Sequence, residues 1–510
     1  MTRDETTPVL IGAAQLTDRS NSENGLTPVQ IISESMRLAL KDTGKAEQLN
    51  KFDLVACSGL TVDAKQVKTP VSGLVKNIPY SATKAAGISA DKYVYAETGG
   101  NTPQMLINHY AKAIARNECE SVLIAGGEAL HTMNLRFNHW AKFLRPKRHW
   151  KDKSGPLPET IGEPRDGSND YENLYGMNLP AKVYPLFENA LRHHYQHGIN
   201  EHIDKIATLF SKFSAVAATN QHAWFSNPPS KDEILEQGPR NRMIGFPYRK
   251  RLNSMILVNQ SAAVVMTSAA KAKAMGIAPE KWVYLHGYAD GYEIWNVSQR
   301  ENYYSSPAIK QLSERALTMA KKSIDDIATF DIYSCFPSAV QVACDAMGIA
   351  HDDSRPLTLT GGLPYFGGPG NNYSMHAIAE MVRWARENPN DFGLMNANGW
   401  YLTKHSVGIY SQTPPPEAFK EEGPIHQSTD KSPKLNADAT GRAKIETYTV
   451  LYNKSDEPSK SIVIARNENG ERCLATTDNS AEKLRYLTEN EGVGLDGELV
   501  KSGNKTVFEF

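Results

Sequence analysis

Residues 330–335 read Phe330-Asp331-Ile332-Tyr333-Ser334-Cys335, and nearly the same phrase stands earlier in the chain as Phe52-Asp53-Leu54-Val55-Ala56-Cys57. Both are apolar runs of strand length, with an aspartate second and a cysteine last. Ahead of each lies an amphipathic helix opened by a hydroxyl N-cap and a proline. These are Thr27-Pro28 before Ile32, Met36, Ala39 and Leu40, and Ser306-Pro307 before Ile309, Leu312, Ala316 and Leu317. Proline suits the first helical turn because the N–H it lacks would be unpaired there anyway. Further out, Val9–Ala14 opens the first copy and Trp282–Leu285 the second.

Downstream, each copy has a glycine-rich turn leading into a helix: Gly99-Gly100-Asn101-Thr102-Pro103 and Gly367-Gly368-Pro369-Gly370-Asn371-Asn372. Each then ends in a strand that runs into glycine, Val122–Glu128 and Gly393–Gly399. Five elements in one order, offset by roughly 270–280 residues, mark a duplicated domain. The β-α-β succession predicts α/β architecture, with parallel strands joined by crossover helices.

The bulk properties agree with an enzyme-sized globular protein. The 510 residues exceed one core, and two to four domains are expected at the usual ~100–200 residues each. Lys and Arg number 56 against 57 Asp and Glu, so the chain lacks the cationic excess of a nucleic-acid or membrane-surface protein. No apolar run of about 18 residues occurs and the start is polar, so a cytoplasmic protein is expected. Five scattered cysteines without a Cys-x-x-Cys pair favour neither a disulfide framework nor zinc.

The duplication sets the expected boundaries. Residues 1–130 with 241–278 form the first half and 279–412 the second. Residues 131–240 have no counterpart and read as an insertion covering one face. Residues 413–440, led by Pro414-Pro415-Pro416, read as a linker, and 441–510 as a small, mainly β module. That module is expected to be a separately folded cap.

Gly99-Gly100 places bare backbone at a helix N-terminus, where N–H groups and the helix dipole favour an oxyanion. The plainer alternative is a tight turn with Thr102 as N-cap. Neither a P-loop nor a Gly-x-Gly-x-x-Gly follows the first strand. Gly-x-Ser-x-Gly and His-Glu-x-x-His are absent, and His193, His194 and His197 read as a solvated helix face. No metal is expected. Cys57 and Cys335 end equivalent strands and read as small buried hydrophobes.

The phrases "SVLIAGGEAL", "DIYSCFPSAVQ" and "GGLPYFGGPGNNYS" resemble the thiolase superfamily over roughly residues 8–410. The branch it most resembles is the sterol-carrier-protein type, and the "GGNTPQ" turn with the C-terminal module resembles the thiolase-like proteins of type 1. The resemblance implies a five-layered αβαβα fold of two halves, a covering loop domain, and a site for coenzyme A thioesters. It places the nucleophilic cysteine position on Gly100, the activating histidine on Gly368, the second cysteine on Asn398 and the oxyanion-hole histidine on Tyr333. None of the four carries the family's side chain. A glycine has no nucleophile, so covalent acyl transfer at Gly100 is excluded.

Two functions follow from the resemblance. One is an acyltransferase-type enzyme of lipid or acyl metabolism that acts on coenzyme A thioesters without ordinary thiolysis. The other is a non-catalytic acyl-CoA-binding or regulatory protein. For chemistry, His376 and His405 are the candidate acid/base groups, with Tyr333, Asn398 and the backbone of Gly100 and Gly368 around the carbonyl. The plainer reading of His376 is a satisfied helix histidine, and of Lys404 a solvated loop lysine. Asn371 and Asn372 are candidate donors to the thioester, and Arg145, Lys147, Arg148 and Lys151 candidate phosphate ligands. Coenzyme A enters as ligand or substrate. Monomer and homodimer both remain open.

Overall fold

The computed structural model describes residues 6–64, 73–137 and 150–510. Its first half contains β1 (Pro8–Thr17), β2 (Lys51–Ser58), β3 (Ser89–Ala96) and β4 (Ser121–Ala129), with β5 (Glu159–Ile161) reaching in from the insertion. The expected helix starts form where the caps stand. Thr27 closes a capping box with Gln30 ahead of the helix Pro28–Asp42, and the Ser306 side chain accepts from the Ile309 N–H ahead of Pro307–Ala320.

After the insertion come β6 (Met243–Gly245), β7 (Tyr248–Arg249) and β8 (Asn259–Ser268). The second half holds β9 (Val283–Tyr292), β10 (Ile327–Ile332), β11 (Phe392–Gly399) and β12 (Lys404–Ser411). Strand order makes the duplication explicit. The first half runs β3-β2-β4-β8-β1 and the second β10-β11-β12-β9. Numbered within each copy these are 3-2-4-5-1 and 2-4-5-1, the second lacking a third strand. The crossover pairs β2–β3, β2–β4 and β10–β11 are parallel, as the sequence predicts. Each half also inserts a fifth strand, β8 or β12, antiparallel to both neighbours. The sheets are therefore mixed. The segment Lys404-His405 begins a strand, β12.

The two halves meet edge to edge where Val9 and Leu10 of β1 pair with Tyr284 and Val283 of β9. Between them lie the helices Thr102–Ala115 and Tyr373–Glu387, buried on nearly every side. Leu106, Ile107, Met375 and Ile378 of these helices share one apolar cluster with Ile124 and Val264 from the first half and Met395 and Tyr410 from the second. Helices Pro28–Asp42 and Ile78–Ala86 cover the outer face of the first half, and Pro307–Ala320 and Pro337–Met347 that of the second. Both central helices begin at the glycine-rich turns, so the fold brings those turns together.

The C-terminal strands β13 (Ile425–His426), β14 (Gly441–Tyr452), β15 (Pro458–Asn467), β16 (Arg472–Ala475), β17 (Asp496–Ser502) and β18 (Lys505–Glu509) follow. β13 pairs with β9 in the large sheet, and the rest form an antiparallel sheet that β6 joins through Leu451 and Gly245. The module is docked, not merely tethered. Ile462, Ile464 and Leu474 belong to the same apolar cluster as Leu186, Phe187 and Tyr303. Buried Asn189, on the helix Pro180–His194, donates 2.9 Å to the Tyr448 carbonyl, and buried Arg472 donates 3.0 Å to that of Ser298.

Candidate functional site

The turn before Thr102–Ala115 is held from both halves. The Gly99 N–H donates 2.9 Å to Asn371 Oδ1, the Thr102 N–H donates 2.9 Å to the Gly99 carbonyl, and Ser374 Oγ donates to the Gly100 carbonyl. Asn101, not Thr102, is the N-cap residue, and its amide donates 3.2 Å to Ser406 Oγ instead of capping the helix. Thr102 sits inside the helix and donates 2.9 Å to the Glu97 carbonyl.

Opposite Gly100 stands Tyr333, just past the end of β10. A Cβ built on Gly100 would overlap the Tyr333 hydroxyl and the Asn398 carbonyl oxygen. The phenol thus occupies the space that a side chain at Gly100 would need. Burial first, then Cys335 and Tyr373, pushes the Tyr333 hydroxyl well above its ordinary range, so it stays a neutral donor. Asn398, on β11, donates 2.8 Å to the Tyr184 hydroxyl, while its own Oδ1 is buried without a partner among the described residues. At Gly368 a Cβ would overlap Ser254 Oγ.

These groups border a cavity of about 380 Å³. Gly100, Tyr333, Gly368, Asn371 and Asn398 line it together with Tyr184, Cys335 and Trp400. At its rim Leu179 and Ile256 are each 53% exposed, so the mouth of the cavity presents apolar surface. Burial raises the Cys335 thiol to about 12, which leaves it protonated and a poor nucleophile.

The other sequence candidates lie elsewhere. His376 is fully buried in its helix, bonded at 2.9 Å to Gln15 Oε1, and burial holds it well below the usual histidine range. His405 is likewise buried on β12, opposite Asn398, and burial lowers it to about 3. Neither lines the cavity. Lys404 is no solvated loop residue. It is 3% exposed, donates 2.9 Å to each of the Thr98 and Glu163 carbonyls, and burial lowers it to about 8.

Asn371 and Asn372 already spend their amides within the protein. Asn371 donates 2.8 Å to the Gly59 carbonyl, and Asn372 donates 2.7 Å to that of Gly126 while accepting from Ser58 Oγ at 3.0 Å. Both tie the second half to the first. Arg145, Lys147 and Arg148 lie outside the described residues, and Lys151 is exposed. Sequence reasoning missed Tyr184, Ser254 and Trp400, which carry no motif, and also Glu128, which lies behind Thr61 of the cavity wall and accepts its hydroxyl at 2.7 Å. A lone carboxylate following Gly126-Gly127 in an apolar strand was the available signal for the last.

Among the described residues no group of three His, Cys, Asp or Glu is placed to hold a metal. No described helix is long and apolar enough to cross a membrane.

Residues 426–504 match the model of the thiolase-like protein type 1 additional C-terminal domain. No curated protein matches the chain. Among solved structures, the monomeric SCP2-thiolase-like protein type 1 of Mycobacterium smegmatis is 32% identical, with a TM-score of 0.82 over 100% of this chain and 99% of that one. The Ltp2-ChsH2(DUF35) aldolase is 18% identical at a TM-score of 0.56, over 80% of this chain and 99% of that one. Human mitochondrial 3-ketoacyl-CoA thiolase is 12% identical at 0.55, again over 80% and 99%. The last two likenesses are of fold.

Proposed function

We propose, since this chain belongs to the SCP2-thiolase-like proteins of type 1, that it binds a coenzyme A thioester in the cavity and acts on it without forming an acyl-enzyme. One observation carries this reading: the Tyr333 hydroxyl fills the space beside Gly100 that a nucleophilic side chain would occupy. A neutral phenol there can donate to a thioester carbonyl and cannot attack it. The apolar rim of Leu179 and Ile256 suits the acyl or pantetheine part, and the cations Arg145, Lys147, Arg148 and Lys151 of the insertion suit the phosphates. Like its relative, which is described as monomeric, the chain works as a monomer.

Burial of His376 and His405 away from the cavity favours binding over ordinary acyl transfer, because a general base must come within hydrogen-bond reach of its proton. Calorimetric titration with coenzyme A and several acyl thioesters tests the reading. Heat saturating below millimolar ligand is expected, and no heat at all overturns it. Mass spectrometry of the incubated protein should show no acyl adduct. A stable adduct on Cys335 would overturn the non-covalent part.

A further inference from the structure

Two residues on the cavity wall, Thr61 and Gly370, stand directly in front of a buried carboxyl group. A Cβ on Gly370, whose φ is +52°, would overlap both Thr61 Oγ1 and Glu128 Oε1. The bare glycine is what lets the carboxyl lie so close behind the wall. Glu128 is 1% exposed on β4, where its Oε1 accepts from the Thr61 N–H at 2.6 Å and the Thr61 hydroxyl at 2.7 Å. Its Oε2 is buried with no partner among the described residues. Among the described residues no cation balances this group. The titratable groups facing it among the described residues are Asp63 and Tyr95, whose hydroxyl donates 2.9 Å to Asp63. A structural carboxylate would be paired or fully hydrogen-bonded.

We propose that Glu128 is the proton acceptor of this cavity and works through Thr61, the group that touches the ligand. The inference rests on thioester binding in the cavity. A C–H bond next to the thioester carbonyl breaks, and its proton passes to Thr61 Oγ1 as the Thr61 hydroxyl proton passes to Glu128 Oε1. The electron pair moves into the carbonyl, whose oxygen takes a hydrogen bond from the Tyr333 hydroxyl. The reverse steps return a proton to carbon. Burial, and less so Asp63, raises Glu128 to about 7, so both of its forms are present at neutral pH.

The test incubates the full chain with butyryl-coenzyme A in deuterated buffer and reads deuterium at the carbon next to the carbonyl, from about pH 6 to 8. Exchange should rise with pH and level off above the Glu128 midpoint. Glu128→Gln and Thr61→Val should each lower it by about 10²-fold or more at saturating thioester, whereas Glu128→Asp and Thr61→Ser retain part of it and of its pH profile. Full exchange in both Glu128→Gln and Thr61→Val overturns the proposal, as does binding with no exchange in the wild type. Absence of binding overturns the cavity reading and this proposal with it. Should Glu128→Gln not fold, Thr61→Val against Thr61→Ser decides.

Discussion

At Gly100 the absence of a side chain determines what can stand opposite. Because the Tyr333 hydroxyl and the Asn398 carbonyl oxygen already fill the position of a Cβ, Gly100→Ala should destabilise the chain by about 1–3 kcal/mol, as overpacking does. Tyr333→Leu should recover only part of that loss, since the second obstacle is backbone. Denaturant midpoints of the single and double variants check both statements. Glu128 gives the pH dependence. Its folded value of about 7 exceeds the ordinary 4.5, so between those limits the unfolded chain releases a proton that the folded chain keeps. Stability therefore falls as pH rises through that window, by up to about 3 kcal/mol from this group. Glu128→Gln does not titrate, and its stability relative to wild type should improve from about pH 5 to pH 8. Parallel denaturation curves at the two pH values would contradict the assignment.

At the scale of elements, the turn Gly367–Asn372 fastens the two halves. Asn372 reaches from the second half to the Gly126 carbonyl and Ser58, and Asn371 to Gly59 and Gly99. These amides orient the two helix starts against each other and so shape the cavity floor. Asn372→Ala leaves the buried Ser58 hydroxyl without its acceptor and the Gly126 carbonyl with Ser261 Oγ as its remaining side-chain donor, and should cost about 1–3 kcal/mol by thermal or chemical melting. Cost-free removal would mean that the halves are held by the central helices alone. The caps were legible in the sequence because hydroxyl-proline starts are local chemistry, as Thr27-Pro28 and Ser306-Pro307 show. The fifth strands were harder to see. β8 is buried along its whole length, and a strand enclosed on both faces shows none of the alternation that marks a half-exposed one.

For the whole molecule, the C-terminal module shares a core with the insertion. The sequence set it apart on the strength of its proline-led approach, yet Ile462, Ile464 and Leu474 close a cluster built from the helix Pro180–His194 and residues 297–303. A chain ending at Thr413 would bare that apolar face and leave the Ser298 carbonyl without Arg472. We expect it to aggregate or to melt well below the full chain, measured by soluble yield and scanning calorimetry. An unchanged melting temperature would show that the module folds and docks independently of the core.

The sequence by itself determined the duplicated α/β plan, the capped helices, the glycine-opened turns and the absence of any side chain at Gly100. Each of these is written in local pattern: period, cap, glycine, or a missing side chain. Tertiary structure alone decided which polar groups share the cavity. His376 and His405 sit at the positions expected in chain order, but burial turns them away from the cavity and keeps them neutral. Tyr333 fills the gap at Gly100, and Thr61, Glu128 and Gly370, far apart in the chain, converge at one wall. Convergence depends on how two halves close around a shared pair of helices. No single segment encodes that closure, because the contacts that fix it join residues hundreds of positions apart.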